Sequence, residues 1–442
     1  MKKKSKNLLL MSCRSPYLDD ERVYPPLGLL YLKSAVNKEV PEVNVDLMDD
    51  YNLEDKTLFN NYDYVGLSVM TPQREESLNV LKHIKKHSPD TKVIIGGPHA
   101  YHYLNEVKDQ PYDYIVSKDG QRDLVNILKN NPEQRMHFDQ MLKADWNSQP
   151  RPDRTSKEAR EFLHSYHYTL QGKKAGTMLT ATGCPMACTF CEDAMTATRW
   201  SPIEKLRDEM DDLKELGYEG VYLFDDLFAI AKKKVEPITE ELKKRNLIYR
   251  CNGQANFFTK WGDSFAKLLG ESGCKEIAFG HETGSQKILD NIRKKTLVEQ
   301  NYKSIEYAKK YGIHVKSFLM LGLPGEDHET LADTERFIKE GGMDDFQLAI
   351  YYPYKGTQIR DAIDKNEADF DLHFEGEGLG AYGQKGGSTE SVVSTKALSS
   401  EYLLEFRDYL VDKYTPKSHK EHWKQRFHDT HLKTEVEYEG QN

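Results

Sequence analysis

The feature that most narrows the fold is an alternation. Short apolar runs, each the length of a β-strand, take turns with stretches of helical spacing along two long blocks of the 442-residue chain. In the first block the apolar runs are 7–13, 43–48, 64–70, 92–95 and 112–116, with helical patterns at 27–36 and 75–87 between them. Strands alternating with helices build βαβ units, and these build a parallel sheet covered on both faces. Residues 1–130 are therefore expected to form a doubly wound parallel sheet. In the second block, apolar runs at 176–181, 220–224, 248–251, 276–279, 315–319 and 346–351 are separated by amphipathic segments such as 203–216, 265–269 and 302–311. Six repeats of roughly 30 residues have the length of βα units. Residues 175–358 are expected to form a partial (β/α)6 barrel, an α/β fold like the first. Sheets and barrels of this kind bind ligands at the carboxyl ends of their strands.

The remaining chain is less regular. Residues 131–174 carry prolines and charges, including Gln149-Pro150-Arg151-Pro152-Asp153, and read as a linker with one short helix at 156–162. Residues 359–442 read as a mostly helical C-terminal extension, with flexible glycine-rich stretches at 375–380 and 386–388 and helical spacing at 398–414. His419, His422, His428 and His431 alternate with lysines there. They read as a solvated face rather than a metal site.

The loop after the first barrel strand holds three of the six cysteines within eight residues, Cys184-Pro185-Met186-Ala187-Cys188-Thr189-Phe190-Cys191. Thiolates are soft ligands, and three in a tight loop can hold three irons of a four-iron, four-sulfur cube while leaving the fourth iron open to an amino-carboxylate. Structural zinc needs four closed ligands, and no second cysteine or histidine pair follows at a usual distance. The metal ligands are read as Cys184, Cys188 and Cys191; Cys13, Cys251 and Cys274, far apart in sequence, read as buried small hydrophobes. Asp and Glu number 71 against 62 Lys and Arg, a net charge of -9 that argues against a nucleic-acid substrate. The apolar run Leu8-Leu9-Leu10-Met11 is too brief for a signal core or a membrane span. A cytoplasmic protein is expected, in a compartment that keeps thiols reduced.

The spacing Cys-x3-Cys-x2-Cys, with an aromatic before the last cysteine, resembles that of the radical S-adenosylmethionine (SAM) superfamily. The first block resembles the Rossmann-like cobalamin-binding domain that precedes the radical SAM barrel, a partial TIM-type barrel, in one branch of that superfamily. The second resemblance rests on Pro25-Pro26-Leu27-Gly28-Leu29, Val65-Gly66-Leu67-Ser68, Ile94-Ile95-Gly96-Gly97-Pro98-His99 and Tyr112-Asp113-Tyr114-Ile115-Val116. It implies a 4Fe-4S cluster, SAM on the open iron, and cobalamin. For SAM it implies Asp225 after strand two, Gln254 after strand three, Glu282 and Ser285 after strand four, Gly322 and Pro324 in Gly322-Leu323-Pro324-Gly325-Glu326, and Tyr352 after strand six. Such residues favour turns and caps in any chain, so the ordered set carries the resemblance. For cobalamin the carboxyl edge of the first sheet offers Ser68, Met70, Thr71, Gly96, Gly97 and Gly120, with Met70, Thr71 and Gln73 toward the lower side of cobalt and His99 and His102 as polar loop residues.

Three departures stand out. The first loop lacks Asp-x-His-x-x-Gly, Ser117-Lys118-Asp119-Gly120-Gln121 stands where relatives have Gly-Glu-x-Glu, and Lys355 replaces the proline of a Pro-Gly-Thr turn. The resemblance implies reductive cleavage of SAM to a 5′-deoxyadenosyl radical, with an electron donor such as flavodoxin or ferredoxin. A cobalamin-dependent methyltransferase acting on an unactivated carbon of a small molecule or peptide is expected first. A radical cyclase, oxidase or rearrangement catalyst and a non-catalytic cobalamin or redox sensor remain open. A methylthiotransferase would need a second cluster on N-terminal cysteines, and only Cys13 lies there.

Overall fold

The computed structural model describes residues 5–15, 20–138, 140–367, 371–376 and 390–415. Strands β1 (Lys6–Ser12), β2 (Val43–Met48), β3 (Tyr64–Ser68), β4 (Lys92–Gly96), β5 (Tyr114–Val116) and β6 (Met136–His137) form an all-parallel sheet in the order β2-β1-β3-β4-β5-β6. The chain winds one way from β1 to β2 and the other from β3 onward, so the direction reverses between β1 and β3, where sheets of this type open a crevice. Both faces of the central strands are apolar, as parallel sheets require. Leu8 and Leu10 pack under the helices Leu27–Glu39 and Gln121–Asn130, while Leu9, Met11, Val65 and Leu67 pack under Arg74–His87.

The segment 131–174 is more ordered than a linker. β6 extends the first sheet, and the helices Lys143–Ser148 and Lys157–His164 bury Trp146, Ala159, Phe162 and Leu163 in the core beneath Leu27–Glu39. The second helix starts on a Ser156 hydroxyl that accepts the Ala159 N–H at 3.3 Å. A two-residue strand and a six-residue helix are too short to show a period, which is why the sequence pattern hides them.

The second sheet begins with an antiparallel hairpin, β7 (Thr169–Leu170) and β8 (Lys173–Met178). A small pair, β9 (Ala181–Thr182) and β10 (Arg199–Trp200), brackets the cysteine loop. β11 (Gly220–Leu223), β12 (Ile248–Gly253), β13 (Cys274–Glu282), β14 (His314–Leu321) and β15 (Asp345–Ile350) then continue in parallel beside β8. These six parallel strands curl into the expected half-barrel. Val221, Leu223, Tyr249, Cys251, Ile277, Phe279, Val315 and Leu319 face its outer helices in one core. β12, β13 and β14 outrun their apolar runs because polar Asn252, His281 and His314 lie on strand, and the register stays unbroken along β14 and β15. Cys13, Cys251 and Cys274 are buried, as read.

The C-terminal helix Ser400–Tyr414 lies on β15, and β16 (His373–Phe374) pairs with β17 (Val393–Ser394) beside it, covering the barrel's open edge. The stretch 386–388, most of 375–380 and the four tail histidines lie outside the described residues.

Candidate active site

The cysteine loop is held from below by the end of β11. Asp225 is fully buried and accepts the N–H groups of Thr180 (2.6 Å) and Ala181 (3.2 Å) as well as the Thr180 hydroxyl. Asp226 accepts the Gly183 N–H at 2.7 Å. Gly183 has φ +86, and a Cβ there would stand 2.5 Å from the Ala197 carbonyl oxygen, so only glycine lets the chain turn into Cys184. The middle of the loop is pinned at Thr189, whose N–H donates to the Ile292 carbonyl (3.0 Å) and whose carbonyl accepts from Ile359 N–H (3.1 Å). Cys184, Cys188 and Cys191 pack with Met186, Phe190, Leu227, Ile230 and Phe257 in a small apolar nest.

Burial raises all three thiols, Cys191 to about 12. A metal replaces those protons with its own charge and reverses the shift. Among the described residues no three His, Cys, Asp or Glu side chains converge on one point as a single ion requires. Three soft thiolates on one loop suit a cluster, in which each would ligate one iron.

A buried cation stands beside the loop. Lys294 Nζ is 2.5 Å from Glu282 Oε1 and 5.6 Å from the Phe190 ring centre. Burial alone would lower the Lys294 pKa, but Glu282 and the Cys188 thiol outweigh it and hold the value up. Nothing in the chain's pattern marks this role, because Arg293-Lys294-Lys295 has the letters of a solvated charge run. Glu282 adopts φ +64 where the β13/β14 register shifts, a strained state that costs about 1–3 kcal/mol and clusters at functional sites. Gln254, buried at the end of β12, donates from Nε2 to the Lys294 carbonyl at 2.9 Å.

Gln254, Glu282, Lys294 and the cysteines thus form one assembly. Ser285 is buried at the start of helix Gln286–Asn291, with its N–H on the Thr283 hydroxyl at 3.1 Å. Farther round the rim, Gly322 N–H donates to the buried Glu326 carboxylate, Pro324 O accepts from Asn291 Nδ2 at 3.0 Å, and Tyr352 packs on Tyr354 and Phe374. Asp225 alone among the SAM candidates has its carboxylate engaged by the stem of the loop.

The carboxyl edge of the first sheet is a platform. Ser68 is in register with Ser12 and Gly96, Val69 N–H donates to Gly96 O at 3.0 Å, and His99 N–H donates to Val69 O at 3.1 Å. Gly97 has φ +91, and a Cβ there would meet the Val69 oxygen at 2.7 Å. Thr71 and Gln73 are buried; the Gln73 amide accepts Met70 N–H at 2.8 Å and donates to Cys13 O. Of the three residues read toward the cobalt, only Met70 is exposed, at 54%. Gly120, with φ +72, leads into helix Gln121–Asn130.

Tyr101, Phe138 and Leu142, in segments leaving β4 and β6, are also 40%, 48% and 69% exposed. Apolar area concentrated on a sheet's ligand edge is what a large flat cofactor covers. His99, read as a polar loop residue, is buried and stacked on Tyr103, and burial drops its pKa to about 4. His102 pairs with Glu192, next to Cys191, at 3.0 Å.

Fold and site together define the class. Residues 178–338 match the family described as Radical SAM superfamily, and residues 20–128 match the B12 binding domain. The chain is a radical SAM enzyme with a B12-binding domain, and its cofactors are those of that class: a 4Fe-4S cluster, SAM and cobalamin.

Among particular relatives, it is 28% identical to an uncharacterized methyltransferase of Pyrococcus horikoshii, over 76% of this chain and 77% of that one. It is 24% identical to the anaerobic magnesium-protoporphyrin IX monomethyl ester cyclase of Rubrivivax gelatinosus, over 77% and 66%. Its fold is similar to that of the radical SAM methyltransferase TsrM from Kitasatospora setae, a structure with cobalamin and a [4Fe-4S] cluster bound, with TM-score 0.68, 16% identity and 84% and 78% coverage. Among the described residues no helix is long and apolar enough to cross a membrane.

Proposed function

We propose that the enzyme is a cobalamin-dependent methyltransferase that methylates an unactivated carbon of a small molecule or peptide, with electrons from a flavodoxin- or ferredoxin-type donor. The observation that carries this reading is the apposition of two ligand edges. The carboxyl edge of the first sheet and the cysteine loop of the barrel touch through Asp119–Arg199 and His102–Glu192. A substrate held between them would meet both cofactors. The methyltransferase relative in Pyrococcus horikoshii supports the same reading.

When bound, the cluster supplies the electron that splits SAM, and cobalamin carries the methyl group. Cys184, Cys188 and Cys191 would hold the cluster, and Asp225 and Asp226 fix the loop on which they sit. Lys294 places a buried positive charge beside three thiolates, which offsets the negative charge that ligation gathers there. Gln254 and Glu282 hold Lys294 in place. Met70, Tyr101, Phe138 and Leu142 offer the corrin an apolar bed that excludes water. A relative that is a cyclase favours a second reading, radical chemistry without methyl transfer.

The test is anaerobic reconstitution with cobalamin supplied. The expected protein shows a broad absorption at about 400 nm, lost in Cys184→Ala, Cys188→Ala or Cys191→Ala, together with a cobalamin spectrum. With reductant and SAM it releases 5′-deoxyadenosine and S-adenosylhomocysteine. Release of 5′-deoxyadenosine alone would favour the cyclase-like reading; stoichiometric zinc and no adenosyl product would overturn both.

A further inference from the structure

Arg199 stands where the two halves of the molecule meet, and every arm of its side chain is engaged. Its guanidinium donates to both carboxylate oxygens of Asp119 at 2.7 and 2.8 Å, to the Met141 carbonyl at 3.0 Å, and from Nε to the Thr182 hydroxyl at 3.1 Å. It also lies 5.2 Å from the Trp146 ring centre. Asp119 in turn accepts the Met141 N–H at 2.9 Å. Both partners are mostly buried, 15% and 16% exposed, so the pair is screened far less than a surface pair.

The two ends of this contact are not ordinary scaffold. Asp119 lies in the loop after β5, one residue before Gly120 on the ligand edge of the first sheet. Thr182 lies two residues before Cys184. A second contact acts in parallel across the same gap. Lys355, in the turn after β15, stands 3.8 Å from Glu106 and 4.7 Å from the Tyr103 ring centre. Asp119 lies within Ser117-Lys118-Asp119-Gly120-Gln121, which with Lys355 is one of the stretches where the sequence departs from the patterns it otherwise resembles. Both departures fall on the seam between the halves.

We infer that Arg199 and Asp119 form a positioning clamp that sets the separation of the corrin platform from the cysteine loop, with Lys355 as its outer stay. The inference rests on the proposed use of both cofactors in one reaction. A planar guanidinium suits the role because its donors lie in a fixed fork and cannot swing as an ammonium does. Misplacing reacting groups by about 1 Å can cost on the order of 100-fold in rate, so a spacer between two cofactors governs turnover without touching either.

The experiment uses the full-length protein loaded with cluster and cobalamin. The electron-spin dipolar coupling between the reduced cluster and Co(II) reports their separation, and single-turnover S-adenosylhomocysteine release reports methyl loading. For Asp119→Asn the expected result is unchanged iron and cobalamin content, unchanged 5′-deoxyadenosine release, a broadened or shifted dipolar coupling, and S-adenosylhomocysteine release slowed about tenfold or more. Should Asp119→Asn not fold, Arg199→Lys, which keeps the charge and loses the fork, carries the same readings. Unchanged coupling and rate in a loaded variant would overturn the clamp; so would loss of cobalamin, which would make Asp119 part of the cofactor's own site. Wild-type protein that takes up a cluster but no cobalamin would instead sink the functional reading and leave no spacing to measure.

Discussion

At the scale of single residues, the site is marked by titratable groups that the fold keeps from water. Glu326 is fully buried at the end of β14, bonded to Gly322 N–H, and burial pushes its pKa to about 8. Asp225 is raised to about 7 for the same reason. An unfolded glutamate titrates at about 4.3. The folded value of Glu326 lies above it, so folding is favoured while the carboxyl is protonated in both states, and that contribution is lost as pH rises from about 4 through about 8. Below about pH 6.5 the buried His99 and His281, held neutral by burial, oppose this loss, so the melting temperature of metal-free protein should fall between about pH 6.5 and pH 8, and Glu326→Gln should flatten the fall without abolishing it, because Asp225 still titrates. Identical profiles for the two proteins would show that Glu326 does not titrate in this window. Lys294 answers the same environment differently: it stays charged because Glu282 stands 2.5 Å away.

At the scale of elements, short turns decide where the cofactor edges point. Gly97 brings the end of β4 against β3 so closely that a Cβ would press on the Val69 carbonyl and amide, next to Met70. Gly97→Ala should shift that turn and weaken cobalamin binding at least tenfold, with the iron content of the cluster unchanged, measured by cobalamin titration and iron assay. Equal affinity in the variant would count against the platform.

The elements also show what the chain made legible. Five strands of the first sheet and six of the barrel were readable, because each is a run of apolar residues buried on at least one face. β6 was not, since two residues carry no period. The cysteine loop could be located from its spacing, whereas the rim residues Gln254, Glu282, Ser285, Gly322, Pro324 and Tyr352 were suggested by the family resemblance and not by any period in the chain. Lys294 was not, because a lysine between two cations has the same letters whether it is solvated or buried against a carboxylate. Arg199 and Asp119 are 80 positions apart, and nothing local joins them.

At the scale of the whole molecule, the two halves are joined by more than surface contact. Arg154 stands just before the helix Lys157–His164, whose apolar face belongs to the first core, while Glu209 lies in Ile203–Glu215, the first helix of the barrel. Their side chains meet at 2.7 Å and both are essentially inaccessible to water. The same guanidinium also donates to the Thr177 carbonyl on β8. Burial raises the Glu209 pKa and Arg154 opposes the rise, so the carboxylate depends on its partner to stay ionised. Breaking such a pair by removing one member leaves an uncompensated buried charge, which costs about 3–5 kcal/mol, more than the pair's net worth when intact. Glu209→Ala should therefore lower the unfolding free energy by about that amount. Because the lost contact is a fully buried tie between the first core and the barrel, beside the more exposed ties of Arg199, His102 and Lys355, its urea denaturation should also move toward two steps where the wild type shows one. A single transition with unchanged midpoint would mean that the Arg154–Glu209 pair does not hold the halves together.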